Sequence, residues 1–325
     1  MSLTFKKAER RQVKLKIGIS GPSGSGKTLS ALLIAKGIVE RIPDGRIALI
    51  DTENGSASLY AGMTLPNGEK VPDFETLELD PPFSTDKYIA AINAAVAGGF
   101  SVLIVDSGTH QWAGEGGILS KKEQMDARGG NSYTHWAKLT PEHEKFKSAI
   151  LHSDIHLIMT LRSKQEYALV ENDRGKQAPK KLGMAPIQRD GMEYEMTCML
   201  DMDMTHNAQA SKDRTSLFDG KIWVPTVDTG KALMDWLAGA KPAEPKPART
   251  PDANQPRGTG LLCELCGADM RVSDQKKKVY CPNWQDEALG KHPVYPLEML
   301  EKLLEQQRHP APPQDKEAPS AQASV

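Results

Sequence analysis

The residues best suited to chemistry form one short segment near the start of the 325-residue chain. They are glycines, small polar residues and one lysine, in the order Gly21, Pro22, Ser23, Gly24, Ser25, Gly26, Lys27 and Thr28. Glycines let the backbone turn tightly and aim N–H groups at phosphate oxygens without obstruction by Cβ atoms. Lys27 can reach β- and γ-phosphates, and the Thr28 hydroxyl can bind Mg²⁺. The segment predicts a loop that binds ATP and Mg²⁺; the alternative is a Gly/Ser-rich turn.

The elements around this loop have the order that a phosphate-binding loop requires. Alternating apolar residues from Val13 to Ile19 predict a strand, and the segment from Leu29 to Val39, rich in Ala, Leu and Ile, predicts a helix. The positive N-terminal end of such a helix adds to an anion site. Strand, G-x-x-x-x-G-K-T loop and helix together predict a P-loop.

Two carboxylates are placed to complete this chemistry. The apolar segment Phe100 to Ser107 predicts a strand that ends at Asp106, which would hold Mg²⁺ through its water shell. The next residue is Ser107 rather than a glutamate, so a base that activates water has to come from elsewhere. Glu53 follows the predicted strand Arg46–Asp51 and is the candidate base. The alternative for Glu53 is a helix cap or a surface carboxylate.

The pattern of strands and helices predicts the fold class. Strands at 46–51, 74–79, 100–107 and 155–161 alternate with helices, one of them capped by Ser84 or Thr85. Such alternation predicts an α/β fold with a mainly parallel sheet covered on both faces. We expect an irregular connection at 110–136, a helix that begins at Thr140-Pro141 and a polar, basic connection at 164–189.

Composition limits the compartment and the partners. The 41 basic and 42 acidic residues give a net charge of −1, so any surface for nucleic acid has to be local. No apolar segment is long enough to span a membrane, and the N-terminus lacks a secretory apolar region. Four cysteines, three of them clustered, suit a reducing cytoplasm and a metal site.

The C-terminal part of the chain predicts a second, smaller unit. We expect an ATPase domain at 1–240, a Pro-rich linker at 241–260, a small module at 261–308 and a disordered tail at 309–325. The module contains Cys263-x-x-Cys266 and Cys281, which resemble a zinc ribbon.

The sequence identifies the fourth ligand of this predicted zinc site less clearly, because the usual second Cys-x-x-Cys is incomplete. Trp284 stands where a second Cys-x-x-Cys would place a ligand, so His292 is our choice and His309 the other candidate. Three reduced thiols in a disordered tail are the alternative to zinc.

Taken together, residues 21–28, Asp51-Thr52-Glu53, the strand ending at Asp106 and Lys212-Asp213-Arg214 resemble RecA-like ATPases, over about residues 10–238. More narrowly, the segments 106–110, 163–164 and 211–215 are similar to phage-encoded RecA-like proteins. That group includes proteins described as AAA-family ATPases and the Sak-type single-strand annealing proteins.

The resemblance implies roles for several residues. It assigns the catalytic carboxylate to Glu53 and makes Lys212 and Arg214 cations that reach the nucleotide of a neighbouring subunit. It also implies a homo-oligomer, as a ring or filament, and contacts with single-stranded DNA from residues 110–136 and 162–189. Aromatic rings in the first of these segments can stack on bases; they are Trp112, Tyr133 and Trp136.

The function expected from the resemblance is ATP-dependent action on single-stranded DNA in phage recombination or replication. A phage single-strand-binding protein is a possible further partner. Two alternatives stay open: a P-loop kinase that phosphorylates a small molecule, and a helicase loader or other partner protein that uses ATP as a conformational switch.

The predicted zinc site can be tested by metal analysis of the purified full chain. We expect about one zinc per chain, lost in Cys263→Ser and weakened in His292→Ala, because each change removes a ligand. Cys198→Ser is the matched control, since Cys198 lies far from the cluster in sequence. Full zinc occupancy in Cys263→Ser would rule out the proposed ligand set.

Overall fold

In a computed structural model of the chain, nine strands of the N-terminal unit line up in one sheet. The structure describes residue 7 and residues 12–171, 177–240, 258–263, 269–273, 277–281 and 293–308, with the backbone alone for 165–171, 177–183, 258–260, 269 and 306–308. The chain divides into two units, Met1–Glu244 and Pro245–Val325. This boundary lies inside the predicted linker, most of which is outside the described residues.

Strands and helices alternate through most of the first unit. In order they are β1 (Lys16–Gly21), α1 (Lys27–Val39), β2 (Ile47–Asp51), β3 (Glu75–Glu78), α2 (Thr85–Ala97), β4 (Val102–Asp106), α3 (Thr109–Ala113), α4 (Ile118–Ala127), α5 (Ser132–His152), β5 (His156–Glu171), β6 (Gln177–Pro186), β7 (Cys198–Met202), β8 (Ala208–Asp213), β9 (Ile222–Trp223) and α6 (Val227–Ala238). Short 3₁₀ turns lie at Ser56–Tyr60 and Met192–Glu195.

The sheet has the strand order β3-β2-β4-β5-β1-β7-β8-β9, and β6 pairs with β5. The strands from β3 to β7 in this order run parallel, whereas β6, β8 and β9 run antiparallel to their neighbours. The predicted α/β fold with a mainly parallel sheet is therefore confirmed. Strand β5 lies between β1, which leads into the P-loop, and β4, which ends at Asp106.

Apolar residues alternate between the two faces of the sheet because successive strand side chains point in opposite directions. On one face Ile47 and Leu49 of β2 join a core with helix α1, and on the other Ala48 and Ile50 join a core that includes Phe146 of α5. Helices thus cover both faces, which is why the central strands are apolar throughout.

Helices α1 and α6 approach each other closely where two glycines face each other. A Cβ on Gly37 would lie 2.0 Å from the carbonyl oxygen of Val227, and one on Gly230 would lie 2.1 Å from that of Ile34. Only residues without a Cβ fit this crossing. The contact holds α6 against the helix that carries the P-loop lysine.

The prediction of an irregular connection at 110–136 is wrong, because α3, α4 and the first turn of α5 occupy this region. Helix α5 begins after Asn131, whose side chain accepts a hydrogen bond from the backbone N–H of Tyr133. Pro141 therefore lies inside the helix, and the predicted start at Thr140-Pro141 is also wrong. The Thr140 hydroxyl donates to the carbonyl oxygen of Trp136 at 2.8 Å, a bond within the turn that precedes the proline.

The prediction of a polar, basic connection at 164–189 is wrong in its conformation. Strand β5 continues to Glu171, and β6 returns beside it as an antiparallel hairpin that pairs from Ser163–Pro186 to Glu171–Gln177. Its polar residues do not alternate with a long apolar set, so the sequence lacked the usual signal for a strand.

The second unit contains a four-stranded antiparallel sheet in the order β10-β11-β12-β13. Its elements are β10 (Gly258–Leu262), β11 (Asp269–Ser273), β12 (Lys278–Tyr280), β13 (Val294–Pro296) and α7 (Leu300–Arg308), with a 3₁₀ turn at Leu297–Met299. A small core of this unit includes Cys263, Cys281 and Val279. None of the helices in the described ranges of the chain is long and apolar enough to cross a membrane.

A buried histidine makes the stability of the first unit depend on pH. The backbone N–H of Leu15 donates to Nδ1 of His156 at 3.1 Å, and the side chain of His156 is buried. Burial, with the nearby charges of Lys14 and Lys16, lowers the pKa of His156 from 6.5 to about 4. Because the folded pKa lies below the unfolded one, the unfolded chain takes up the proton first as the pH falls.

We therefore expect His156 to remove stability between about pH 6.5 and pH 4, at a slope of about 1.4 kcal/mol per pH unit. His156→Asn keeps an acceptor for Leu15 but cannot titrate. Denaturant unfolding at a series of pH values measures the free energy of unfolding of both proteins. Between pH 6.5 and pH 4, the wild type should lose about 1.4 kcal/mol per pH unit relative to the variant. The exposed His152→Asn is the control, and an identical shift there would contradict the assignment.

Candidate nucleotide-binding and hydrolysis site

Parallel pairing brings the ends of four strands to one edge of the sheet. Asp51 of β2 is paired with Asp106 of β4, and Gly21 of β1 is paired with Arg162 of β5. Strand β7 lies on the other side of β1 and brings Asp201 opposite Ser20, whose hydroxyl donates to it at 2.5 Å. Ligands of open α/β sheets bind outside the carboxyl ends of the strands, where these polar residues lie.

The P-loop adopts a conformation that only glycine accommodates easily. Gly24 and Gly26 have φ values of 81° and 86°, in the left-handed region. Gly26 is the N-cap of α1, and α1 begins directly at Lys27, two residues before the predicted start. The N-terminal N–H groups of α1 therefore point into the loop, where they can bind phosphate.

Lys27 is the cation of this loop. Its Nζ donates to the carbonyl oxygen of Pro22 at 2.8 Å, and its side chain is largely buried. Burial lowers the pKa of Lys27, whereas the negative charges of Glu53 and Asp106 raise it. The three groups thus lie near enough to interact, as expected for a phosphate and metal site.

Asp106 joins the P-loop helix to the centre of the sheet. Thr28 Oγ1 donates to Oδ2 of Asp106 at 2.7 Å, and the Thr160 hydroxyl of β5 donates to Oδ1. Burial raises the pKa of Asp106, although both hydrogen bonds lower it. The hydrogen-bond partners of this buried carboxylate are neutral hydroxyls, so a cation bound beside it would stabilise its negative charge.

The donor set at Asp106 fits Mg²⁺, which prefers oxygen ligands and binds one or two carboxylates together with substrate phosphates. Thr28 and Asp106 are the residues that would hold it, as predicted. When bound, the ion would neutralise charge on the β- and γ-phosphate oxygens.

Glu53 lies at the mouth of the same pocket and is held by an arginine. Arg162 Nε donates to Glu53 Oε1 at 3.0 Å, and Nη2 of the same arginine is 2.9 Å from that oxygen. The backbone N–H of Glu53 donates to Oδ1 of Asp51 at 2.6 Å, and that of Ala57 donates to Oδ2 at 3.0 Å. Asp51 thus fixes the turn from which the Glu53 side chain projects.

These residues line a cavity of about 610 Å³. Its walls come from the P-loop, from both carboxylates and from the segments 60–67 and 224–226, and the lining residues include Ser23, Gly24, Gly26, Lys27, Thr28, Glu53, Asp106, Arg162 and His206. The volume falls in the range of ligand pockets in proteins.

Two polar lining residues close to the P-loop and the carboxylates, Arg162 and His206, are absent from the set of site residues predicted from the sequence. Arg162 directly follows the predicted strand 155–161, so the argument that selected Asp106 at a strand end could have found it. His206 lies in the β7–β8 connection, and its Nδ1 is 3.1 Å from the carbonyl oxygen of Ser25. Nothing in the sequence marked that contact, because it joins residues 181 positions apart.

Lys212 and Arg214 lie away from this pocket in their own chain. Lys212 Nζ donates to the carbonyl oxygens of Glu193, at 2.9 Å, and of Tyr194. Arg214 Nη2 also donates to the carbonyl oxygen of Tyr194, at 2.8 Å. The backbone N–H of Arg214 bonds Thr197, whose own N–H bonds Lys16 at the start of β1. Arg214 is therefore about 16 Å from the P-loop end of the sheet, five strand residues away.

The aromatic residues predicted to stack on bases differ in exposure. Trp112 and Trp136 stack on each other, with ring centroids 5.7 Å apart, and both are half-buried. The Arg189 guanidinium lies 5.7 Å from the centroid of Trp136. Tyr133 is 81% exposed. Tyr133 is thus the ring of the three with a surface open to a partner.

The predicted zinc site stays a prediction. Cys263 and Cys281 are both buried in the core of the second unit. Cys266, His292 and His309 lie outside the described residues. Within the described part of the chain, no group of three or more His, Cys, Asp and Glu side chains could hold a metal ion.

A P-loop whose lysine and threonine face a buried strand-end aspartate, in a mainly parallel α/β sheet, defines a P-loop ATPase. The chain belongs to the AAA domain family, which matches residues 13–229. No curated protein matches the chain significantly. Among the solved structures that match is the KaiC-like protein PH0186 of the archaeon Pyrococcus horikoshii OT3, 17% identical, covering 66% of this chain and 83% of that one, with a TM-score of 0.36.

The role of Glu53 can be separated from nucleotide binding. Glu53→Gln keeps the shape of the side chain but removes the base, so ATP should still bind while hydrolysis falls by about 10²–10⁴-fold. Calorimetry measures the binding and phosphate release measures the turnover. Glu75→Gln is the matched control, because Glu75 also pairs with an arginine, Arg46, outside the pocket. Normal turnover in Glu53→Gln would show that Glu53 is structural.

Proposed function

We propose that this P-loop ATPase hydrolyses ATP and acts on single-stranded DNA as a homo-oligomer, in phage recombination or replication. Glu53 accepts a proton from a water whose oxygen forms a bond to the γ-phosphorus, while the bond from that phosphorus to the β–γ bridging oxygen breaks. Lys27 and Arg162 stabilise the charge that develops on the phosphate oxygens.

The observation that carries the link to DNA is the contact between Arg162 and Glu53. Arg162 is the last residue of β5 that pairs with β1; from Ser163 onwards β5 pairs only with β6. The hairpin therefore leaves the sheet directly after the residue that holds the proposed base. At about 3.4 Å per residue it extends about 30 Å. A ligand that moves the hairpin where it leaves the sheet would also move Arg162. It would thereby alter the hydrogen bond that holds the Glu53 side chain in place.

The composition of this hairpin suits a phosphate backbone. Residues 163–189 contain six basic residues against three acidic ones, and the basic residues are Lys164, Arg174, Lys176, Lys180, Lys181 and Arg189. Their local excess contrasts with the net charge of −1 for the whole chain. Single-stranded DNA is bound by basic grooves and by aromatic rings that stack on bases. The exposed ring of Tyr133 supplies a candidate for the second feature.

Exposed apolar residues around the pocket support a homo-oligomer. Leu59, Met204 and Val224 are more than half exposed and belong to segments that line or adjoin the pocket. A neighbouring subunit would cover them. Lys212 and Arg214, too far from their own P-loop, would then be free to serve the nucleotide of that neighbour, in a ring or a filament.

Turnover separates this proposal from its alternatives. A small-molecule kinase transfers phosphate to an acceptor and releases little inorganic phosphate without it. A helicase loader or other ATP-switched partner binds ATP without stimulation by DNA. The similarity of segments 106–110 and 211–215 to phage-encoded proteins favours an annealing or recombinase-type role, with a phage single-strand-binding protein as a possible partner.

We expect single-stranded DNA to raise the rate of ATP hydrolysis, measured as phosphate release with a thymidine oligonucleotide and with the matching duplex. Lys180→Glu should abolish the stimulation and leave the basal rate unchanged, because it reverses a charge on the hairpin but lies outside the pocket. Lys87→Glu on α2 is the matched control. A basal rate that DNA does not change, or equal stimulation in Lys180→Glu, would contradict the proposal.

A further inference from the structure

The nucleotide pocket continues beyond the P-loop into an apolar slot. It is lined by Tyr60, Leu65 and Asn67 and by residues 224–226. Leu29 and Leu33 of α1 also line it. The P-loop and Lys27 would bind the phosphates at one end of the pocket, which leaves the slot for the base of a bound nucleotide. A pocket end with this apolar and aromatic lining suits a nucleobase.

A small hairpin carries part of the lining of this slot. The backbone N–H of Val71 bonds the carbonyl oxygen of Met63 at 3.0 Å, and Leu65 N–H bonds Glu69 at 2.8 Å. At the tip, the N–H of Gly68 bonds Leu65 at 2.8 Å, and Gly68 has a φ of 83°. Pro66 fixes the turn further, because its ring restricts φ. Asn67 therefore lies at a rigid position in the turn.

Lys36 holds this hairpin against the P-loop helix. Its Nζ donates to the carbonyl oxygen of Lys70 at 2.8 Å and forms an ion pair with Glu69. The Lys36 side chain is 19% exposed, so this contact is partly shielded from solvent. Lys36 lies nine residues after Lys27, or about 13 Å along α1. One helix thus sets the distance between the phosphate site and the hairpin.

The orientation of the Asn67 amide follows from its hydrogen bond. The backbone N–H of Glu69 donates to Asn67 Oδ1 at 3.0 Å, so the oxygen and the nitrogen of the amide are distinguished. Asn67 Nδ2 has two N–H groups, and Oδ1 has a second lone pair. Neither has another partner among the described residues. The side chain presents a donor and an acceptor in a fixed order.

We propose that Asn67 reads the base of the bound nucleotide and selects adenine over guanine, an inference that rests on the proposed ATPase function. Adenine presents a donor, its exocyclic amine, beside a ring nitrogen acceptor, and an asparagine amide pairs with both. Guanine presents an acceptor, O6, at the position of that amine. An amide held in this orientation by Glu69 is therefore complementary to adenine and mismatched to guanine.

The test compares the affinities of ATP, GTP and inorganic triphosphate by calorimetry at physiological salt. Wild type should prefer ATP to GTP. Asn67→Asp keeps an acceptor for Glu69 but loses the donor, so ATP affinity should fall about tenfold and the preference should disappear. Triphosphate affinity should fall less than ATP affinity, because triphosphate has no base and meets only the added charge. Asn93→Asp, an exposed change of equal charge on α2, is the matched control.

Lys36 provides an independent test as a positioning residue. Lys36→Met should reduce the preference for ATP over GTP, and Lys36→Arg should restore it, because arginine can also bond Glu69 and the Lys70 carbonyl. Arg41→Met, which removes the ion pair of Arg41 with Asp235, is the control. Triphosphate affinity should again change less than ATP affinity.

The possible failures can be told apart. If wild type binds ATP and GTP equally, or if Asn67→Asp keeps the wild-type preference, the assignment of base selection to Asn67 is wrong while triphosphate binding still reports a working P-loop. If wild type binds none of the three ligands, or if Lys27→Ala binds them as well as wild type does, the proposed ATPase function itself fails.

Discussion

The hydrogen bond from Thr28 to Asp106 is the interaction on which the rest of the site depends. Thr28 belongs to the helix that follows β1, and Asp106 ends β4, which is separated from β1 by β5. The bond forms only if these three strands keep their register, and Thr160 of β5 donates to the same carboxylate. A slip by one residue would turn these side chains to the other face of the sheet. Folding of the sheet and assembly of the site are thus one event.

Groups of opposite charge already lie around this bond before a nucleotide enters. Lys27 and Arg162 lie near Glu53 and Asp106, and Arg162 donates a hydrogen bond to Glu53. A triphosphate with Mg²⁺ adds negative and positive charge together, so it can exchange with this arrangement without leaving a buried charge unpaired. The pair of Arg162 and Glu53 is partly exposed, which makes it weak enough to open.

Local signals in the sequence were sufficient for residues whose roles depend on their own strand or loop. The P-loop, the strand ending at Asp106 and the parallel α/β sheet could be predicted because each produces a motif or an apolar pattern in consecutive residues. The contact of Arg162 with Glu53 joins residues 109 positions apart, and no periodicity reports such a pairing. The start of helix α5 was misplaced because a proline usually marks the first turn of a helix, whereas Pro141 lies inside a helix that begins after Asn131.

The position of Lys212 and Arg214 limits how an oligomer could use them. Strand β8 runs antiparallel to β7, so a residue near its end lies at the amino edge of the parallel strands, whereas the P-loop lies at the carboxyl edge. No side chain is long enough to join the two edges within one chain. If these cations serve catalysis, the amino edge of one subunit must face the carboxyl edge of the next. That contact is head-to-tail, and head-to-tail contacts generate either closed rings or helical filaments.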